Sequence, residues 1–142
     1  DNFDLEKSHV LPALMRKVHE AKLEKKDQVE VWGSGNPMRE FLYVDDMADA
    51  CVHVMQKETF SGMTNIGTGL DVSIKELAEA ICRVVGFRGS LVFDATKPDG
   101  VMKKLQDVSL LSSIGWTAPT SLEQGLQKTY LWYLENEDRL KR

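Results

Sequence analysis

The turn Gly-Ser-Gly at residues 33–35 constrains the fold more than any other stretch of this sequence. Its two glycines have the spacing of a dinucleotide-binding fingerprint, but the third-glycine position holds Met38, where that motif needs a glycine for close packing of the following helix. The residues at 39–44, Arg-Glu-Phe-Leu-Tyr-Val, are rich in aromatic and β-branched side chains, which is typical of a strand. The turn is therefore predicted to join strands at 29–32 and 39–44, most simply as a hairpin, rather than to hold a dinucleotide.

Helices and short strands alternate along the rest of the chain. Further strands are predicted at 63–67 and 90–94, and apolar residues at helical spacing predict five helices. The helices are expected to begin at Pro12, after a cap at Asp45 and Asp46, at a capping box Ser73–Glu76, near Asp107, and at a second capping box Thr120–Glu123. This alternation predicts an α/β layered domain with a small sheet. A doubly wound nucleotide-binding domain would instead open with a strand and a glycine-rich turn.

Composition excludes several classes of protein. The 142 residues are 42% apolar and 28% charged with a net charge of −4, which is typical of one folded domain over 1–142. No run of basic residues indicates nucleic acid, and no apolar stretch is long enough to span a membrane. Cys51 and Cys82 lie on predicted apolar helix faces and are expected to be buried, reduced thiols of a cytoplasmic protein. No His/Cys cluster has metal-ligand spacing. Because the chain opens with Asp1 rather than Met, it is expected to be processed or part of a longer protein.

Three histidines are candidates for proton transfer. His53 lies in the middle of a predicted helix among apolar residues and is expected to be structural or half-exposed, and His19 lies among charged residues and is expected on a solvated face. His9 stands at the mouth of the first helix, where its side chain can reach a cleft. Histidine titrates near neutral pH and suits proton transfer, although position alone favours a structural role for His9.

A second group of residues predicts an anionic, partly flat ligand such as a nucleoside diphosphate. Arg39 follows the glycine turn and can offer a bidentate fork to a phosphate, with Lys17 and Lys97 as assisting cations. Trp32, at the other end of the turn, can stack on a base or a sugar, or simply cap the sheet. Asp99, within Pro-Asp-Gly, forms a turn or contacts the ligand.

Several segments together resemble the GDP-L-fucose synthase family, a branch of the extended short-chain dehydrogenase/reductases. They follow one another along the whole chain: DNFDLEKSHVLPALMRKVHEAK, VEVWGSGNPMREFLYVDDMADA, NIGTG with SIKELAEAI, FDATKPDG, SIGW and TYLWYLEN. The resemblance implies an α/β fold, namely the small mixed-sheet C-terminal substrate domain of a longer two-domain enzyme, with the Rossmann domain absent from this chain.

The resemblance also implies a reaction and roles for five residues. The family epimerises GDP-4-keto-6-deoxy-D-mannose at C3 and C5 and reduces C4 with NADPH to form GDP-L-fucose. It implies acid/base catalysis by His9 and substrate binding by four residues, Lys17, Trp32, Arg39 and Asp99. On that basis the glycine turn serves the GDP-sugar, with Arg39 on the diphosphate.

Departures from the family limit what this chain is expected to do alone. No Tyr-x-x-x-Lys occurs in it, and the residues after Pro-Asp-Gly are Val101–Lys104 where the family usually has Thr-Pro-Arg-Lys. NADPH is therefore expected to bind mainly to the missing N-terminal domain, and this chain by itself is expected to be inactive. The complete enzyme is expected to be a cytoplasmic homodimer that binds neither nucleic acid nor membranes. Two alternatives are the substrate domain of another nucleotide-sugar epimerase or dehydratase, and a non-catalytic nucleotide-sugar-binding module.

Overall fold

The computed structural model describes residues 2–5, 7–58 and 60–140. Five helices and five strands lie in those residues. The helices are α1 (Val10–Leu23), α2 (Val44–Met55), α3 (Ile74–Val85), α4 (Ser109–Ser113) and α5 (Leu122–Leu140). The strands are β1 (Gln28–Trp32), β2 (Met38–Glu40), β3 (Asp71–Ser73), β4 (Ser90–Asp94) and β5 (Lys103–Lys104). Within this described part of the chain, no helix is both long enough and apolar enough to cross a membrane.

The strands form two small sheets. β1 pairs in parallel with β4, with Trp32 opposite Asp94 at the carboxyl ends of both strands. β2 lies between β3, which is antiparallel to it, and β5, which is parallel. The second sheet is therefore mixed, as the resemblance predicted.

The predicted hairpin is wrong, because β1 and β2 belong to different sheets. The turn at 33–35 forms its backbone hydrogen bonds with other elements: Gly33 N donates to Asp94 O at 3.0 Å, and Lys75 N donates to Gly35 O at 3.0 Å. The turn thus crosses from the end of β1 to the start of α3 before the chain enters β2. Length and turn residues alone do not distinguish this crossing from a hairpin.

Helices α1, α3 and α5 enclose the main core against β1 and β4. Local signals define helix α3. A capping box stabilises its first turn, with Glu76 N donating to Ser73 Oγ at 3.1 Å and Ser73 N donating to Glu76 Oε2 at 2.8 Å. Gly86 ends the helix in the left-handed conformation. Its predicted apolar face is buried, namely Ile74, Leu77, Ala78, Ile81 and Val85. A smaller core between α2 and α4 contains Ala50, Leu111 and Trp116.

The strand predicted at 63–67 is wrong. Met63 is 94% exposed there, and the Asn65 side chain donates to Asp107 O at 3.0 Å, so the segment is a loop tied to the start of α4. Two short strands that were not predicted lie elsewhere, namely β3, directly before α3, and β5, at residues 103–104. Both have three residues or fewer, too few to show the alternating pattern of a strand in the sequence.

Two predicted helix caps and the predicted burial of one cysteine differ from the structure. Asp46 lies inside α2 and accepts hydrogen bonds from Thr120 instead of capping the helix. The capping box of α5 is Ser121–Gln124, one residue later than predicted. Cys51 is exposed because it is Ala50, the preceding residue of α2, that faces the smaller core. Cys82 is half-buried.

Candidate functional site

The candidate site lies where the parallel strands β1 and β4 end. The turn at 33–35 follows β1, and the loop at 95–100 follows β4, so both leave the same edge of this sheet. Ligands of α/β proteins bind outside the carboxyl ends of parallel strands, since the connecting loops gather there. Four of the five predicted site residues lie on or beside these two segments.

Asp99 joins the two segments. Its Oδ1 accepts from Ser34 N at 2.8 Å, and its Oδ2 accepts from Ser34 Oγ at 2.6 Å. These hydrogen bonds, the hydroxyl first and the amide second, lower the pKa of the Asp99 carboxyl. Asp99 therefore holds the glycine turn in place as an ionised side chain.

The two glycines are required by space as well as by backbone conformation. Gly33 and Gly35 have φ angles of 86° and 80°, in the left-handed region that glycine favours. A methyl group at Gly33 would overlap the Asp99 carboxylate, and one at Gly35 would lie 2.6 Å from Phe93 Cε1. The turn is thus packed against the protein's own side chains.

Trp32 presents an exposed aromatic ring between two cations. The ring is 55% exposed, and Lys17 Nζ and Lys97 Nζ lie 5.4 and 5.5 Å from its centroid. Lys17 Nζ also donates to Glu30 O at 3.0 Å, and the indole N–H donates to Glu30 Oε1 at 3.1 Å. These contacts fix a flat apolar surface beside positive charge, which suits a nucleotide.

Arg39 lies in the middle of β2, on the other side of the turn. Its Nη1 donates to Met38 O at 2.7 Å, and its Nη2 lies 3.0 Å from the position that a Cβ on Gly100 would occupy. Lys104 of β5 is directly opposite Arg39, so two cations neighbour each other across the sheet. No salt bridge to Arg39 occurs among the described residues.

His9 is exposed and stands immediately before α1, with extended backbone angles. The eight residue-to-residue steps from His9 to Lys17 span about 12 Å along a helix axis. The structure therefore gathers Lys17, Trp32 and Asp99 around the turn and places Arg39 beside them, while His9 is further away along α1.

The other two histidines have structural contacts. His53 is half-buried, with Nε2 2.9 Å from Ile114 O, as expected for a structural residue. His19 is only 4% exposed, so its predicted position on a solvated face is wrong. Its Nδ1 lies 2.9 Å from Tyr130 Oη, and its Nε2 lies 3.4 Å from Glu137 Oε1. Contacts with α5, more than a hundred residues away in sequence, bury His19, although its charged neighbours in the sequence had indicated an exposed position.

Sequence reasoning missed Glu40, the neighbour of Arg39. Its carboxylate accepts four hydrogen bonds from two distant segments, at 68–69 and at 106. Only the acidic residue itself, next to a candidate arginine, could have drawn attention to it in the sequence.

The turn at 33–35 does not fit a dinucleotide. A pyrophosphate would need free backbone N–H groups at a helix N-terminus, but Ser34 N is bonded to Asp99, and β2 rather than a helix follows. Among the described residues, no group of His, Cys, Asp or Glu could hold a metal ion either. The site offers cations and an aromatic face instead.

Comparison with known proteins gives this site a context. A family model described as the NAD dependent epimerase/dehydratase family matches residues 1–67. "Putative GDP-L-fucose synthase 2" from Arabidopsis thaliana is 60% identical over 136 residues, and GDP-L-fucose synthase from Escherichia coli (strain K12) is 51% identical over 150 residues. These alignments cover 96% and 99% of this chain. Residues 1–67 of this chain are thus similar to the NAD dependent epimerase/dehydratase family, and almost the whole chain is similar to GDP-L-fucose synthases.

The chain spans less than half the length of those relatives, 42% and 47% respectively. A crystal structure of a GDP-L-fucose synthetase from Naegleria fowleri superposes on it with a TM-score of 0.90 at 32% identity. That match covers 97% of this chain and 43% of the other. The family resemblance and the small mixed-sheet fold expected from the sequence are therefore confirmed.

Proposed function

We propose that this chain is the GDP-sugar-binding, C-terminal part of a GDP-L-fucose synthase. In the complete enzyme, GDP-4-keto-6-deoxy-D-mannose is epimerised at C3 and C5 and then reduced at C4 to give GDP-L-fucose. The observation that carries the proposal is the cluster around the glycine turn, where an exposed indole lies between two lysines with an arginine nearby. The identity to GDP-L-fucose synthases over almost the whole chain supports this choice of ligand.

Each part of the ligand has a matching group. Arg39 binds the diphosphate as a charge-assisted fork, and Lys17 adds positive charge. Trp32 provides the flat surface for the base or a sugar ring. Asp99 contributes by holding the Ser34 turn in its binding conformation. His9 supplies a proton to the ring carbon during epimerisation, since an imidazole can act as a general acid.

The complete enzyme in this proposal has two domains, and residues 1–142 are the substrate domain. NADPH binds mainly to the other domain, because the glycine turn of this chain is closed by Asp99. We also propose that the complete enzyme is a homodimer, as in the family it resembles, and works in the cytoplasm. The two free thiols, Cys51 and Cys82, support a reducing compartment.

Calorimetric titration of this chain with GDP, UDP and NADPH tests the proposal. We expect GDP to bind, UDP to bind more weakly and NADPH not to bind. We also expect no oxidation of NADPH when the keto-sugar is added to the purified chain. Binding of UDP in preference to GDP would favour another nucleotide-sugar enzyme, and NADPH oxidation by this chain alone would refute the division of roles between domains.

A further inference from the structure

Glu40 is the most heavily hydrogen-bonded carboxylate beside the candidate site. Its Oε1 accepts from Thr68 N at 2.5 Å, Gly69 N at 2.7 Å and Thr68 Oγ1 at 3.2 Å. Its Oε2 accepts from Gln106 N at 2.8 Å. Three backbone N–H groups thus converge on one side chain, the arrangement that proteins use to hold an ionised group. Here the anion belongs to the protein itself.

These hydrogen bonds join three segments that are far apart in sequence. Glu40 is in β2, residues 68–69 lead into β3, and residue 106 follows β5. The carboxylate therefore ties both neighbours of β2 to it at the same end of the sheet. A methyl group at Gly67 would overlap this carboxylate, so the first segment also packs tightly on it.

The segment that Glu40 fixes at residue 106 begins at residue 99 and lies along one side of the candidate site. Met38 N donates to Met102 O at 2.7 Å, and β5 then runs beside β2 with Lys104 opposite Arg39. The same stretch of chain begins with Asp99 on the turn and Gly100 against Arg39. β5 has only two residues, so its pairing with β2 is short and gains its register from the bonds on either side.

We propose that Glu40 is a positioning residue for the binding of GDP-sugar. It fixes the 99–106 segment against β2, so that Arg39, Lys104 and the Asp99-bound turn are in place before the ligand arrives. Without it, the segment would have to be ordered at the moment of binding, which lowers affinity. This inference rests on the proposed function, because it assigns Glu40 a role in the same site.

The charge of Glu40 allows an electrostatic effect on ligand binding to be distinguished from a positioning effect. Removing a negative charge next to Arg39 strengthens the attraction for an anionic ligand on Coulomb grounds alone. Loss of positioning has the opposite effect. A Glu40→Gln variant separates the two, since it removes the charge but keeps one oxygen that can accept from residues 68 and 69. Glu40→Ala removes both connections.

The experiment measures the Kd of GDP by calorimetry for this chain and for its Glu40→Gln, Glu40→Ala and Glu79→Gln variants, with melting curves for each. Glu79 is an exposed residue of α3, and its variant controls for net charge. We expect Kd to rise about tenfold for Glu40→Ala, with Glu40→Gln intermediate and Glu79→Gln unchanged, at a temperature where every variant is folded. Binding by folded Glu40→Gln that is as tight as in the unchanged chain, or tighter, overturns the inference.

Amide hydrogen exchange on the unchanged chain provides a test that does not depend on a variant folding. Saturation with GDP should slow exchange at Gly69 and Gln106, because binding stabilises the segment that Glu40 holds. Unchanged exchange at both amides while GDP is bound contradicts the inference and leaves the proposed function standing. Failure of the unchanged chain to bind GDP at all refutes the proposed function, and this inference with it.

Discussion

Two clusters of this protein each contain aromatic rings but differ in exposure and in the residues that surround the rings. Around Trp32, an exposed ring lies between two lysines at the edge of the β1–β4 sheet. Between α1 and α5, Tyr133 is 1% exposed and lies 5.3 Å from His19 and 4.9 Å from Phe3, measured between ring centroids. The Tyr133 hydroxyl has no hydrogen-bond partner among the described residues.

The difference supports the proposal that the cluster around Trp32 serves the ligand and the cluster around Tyr133 serves the fold. An exposed ring contributes little to folding, so an indole kept in place by Glu30 and Lys17 is available for binding. A buried ring contributes through packing. Helix α1 belongs to both regions, since it begins after His9 and contains His19 further along.

Substitution of His9 is expected to have the largest effect, and it acts on catalysis alone. In the complete enzyme, His9→Asn should slow entry of solvent deuterium at C3 and C5 by about a hundred- to ten-thousandfold, the usual contribution of general acid–base catalysis. Slow direct reduction of the unepimerised ketone should persist and give a 6-deoxyhexose that is not fucose. NMR of the products measures both, and a melting curve provides the control. Normal deuterium uptake in a well-folded variant would remove His9 from the mechanism.

Substitution in the buried cluster should affect stability without affecting the ligand. Tyr133→Ala removes a ring from the core and should lower the free energy of unfolding by about 3–5 kcal/mol. Leu131→Ala, two residues earlier but 61% exposed, is the matched control and should change stability by no more than about 0.5 kcal/mol. Urea unfolding measures both. If the folded Tyr133→Ala protein bound GDP more weakly, the separation between the two clusters would fail.

Substitution of Arg39 should affect ligand binding without affecting stability. Arg39→Ala removes a charge-assisted fork that is worth about 1.5–3 kcal/mol, or about ten- to a hundredfold in GDP affinity. Arg88→Ala removes the same charge from an exposed position after α3 and should leave GDP affinity unchanged. Calorimetry with GDP compares the two variants. In the complete enzyme, an equal loss of NADPH affinity in Arg39→Ala would return the glycine turn to the cofactor.

The smallest expected effect is a dependence of stability on alkaline pH. Burial and, to a lesser extent, the charge of Glu137 raise the pKa of Tyr133 from 10.0 to about 12. The folded protein therefore keeps a proton that the unfolded chain loses, so this contribution is full below pH 10 and is lost between about pH 10 and 12. Unfolding of Tyr133→Phe should depend less on pH in that range. An identical pH dependence in both proteins would show that this tyrosine does not titrate as described.

Local patterns in the sequence predicted the fold where a few adjacent residues decide the structure. The capping box Ser73–Glu76 predicted the start of α3, and the apolar run at 90–94 predicted β4, because those signals act within a few residues. The mixed sheet followed from the family resemblance. Pairing of strands did not follow from local signals, since the turn at 33–35 bonds to β4 and α3, more than 35 residues away on either count.

The candidate site shows the same difference between what local sequence signals predict and what contacts between distant segments decide. Trp32, at the end of β1, and Arg39, in the middle of β2, could be proposed as site residues from their type and their position beside the glycine turn. Glu40 and His19 were not, because their partners are supplied by segments distant in sequence. Asp99 was assigned to the ligand, and its hydrogen bonds to Ser34 add a role in holding the turn.

If the proposed function is right, the cluster around Trp32 and Arg39, and not the buried helices, receives a guanosine diphosphate. Two-dimensional NMR of the labelled chain during GDP titration can locate the bound ligand. We predict the largest shifts at the indole N–H of Trp32, the amide of Ser34 and the side chain of Arg39, with the amides of Tyr130 and Tyr133 unchanged. Shifts concentrated on α5, or no shifts at all with the protein folded, would contradict the account.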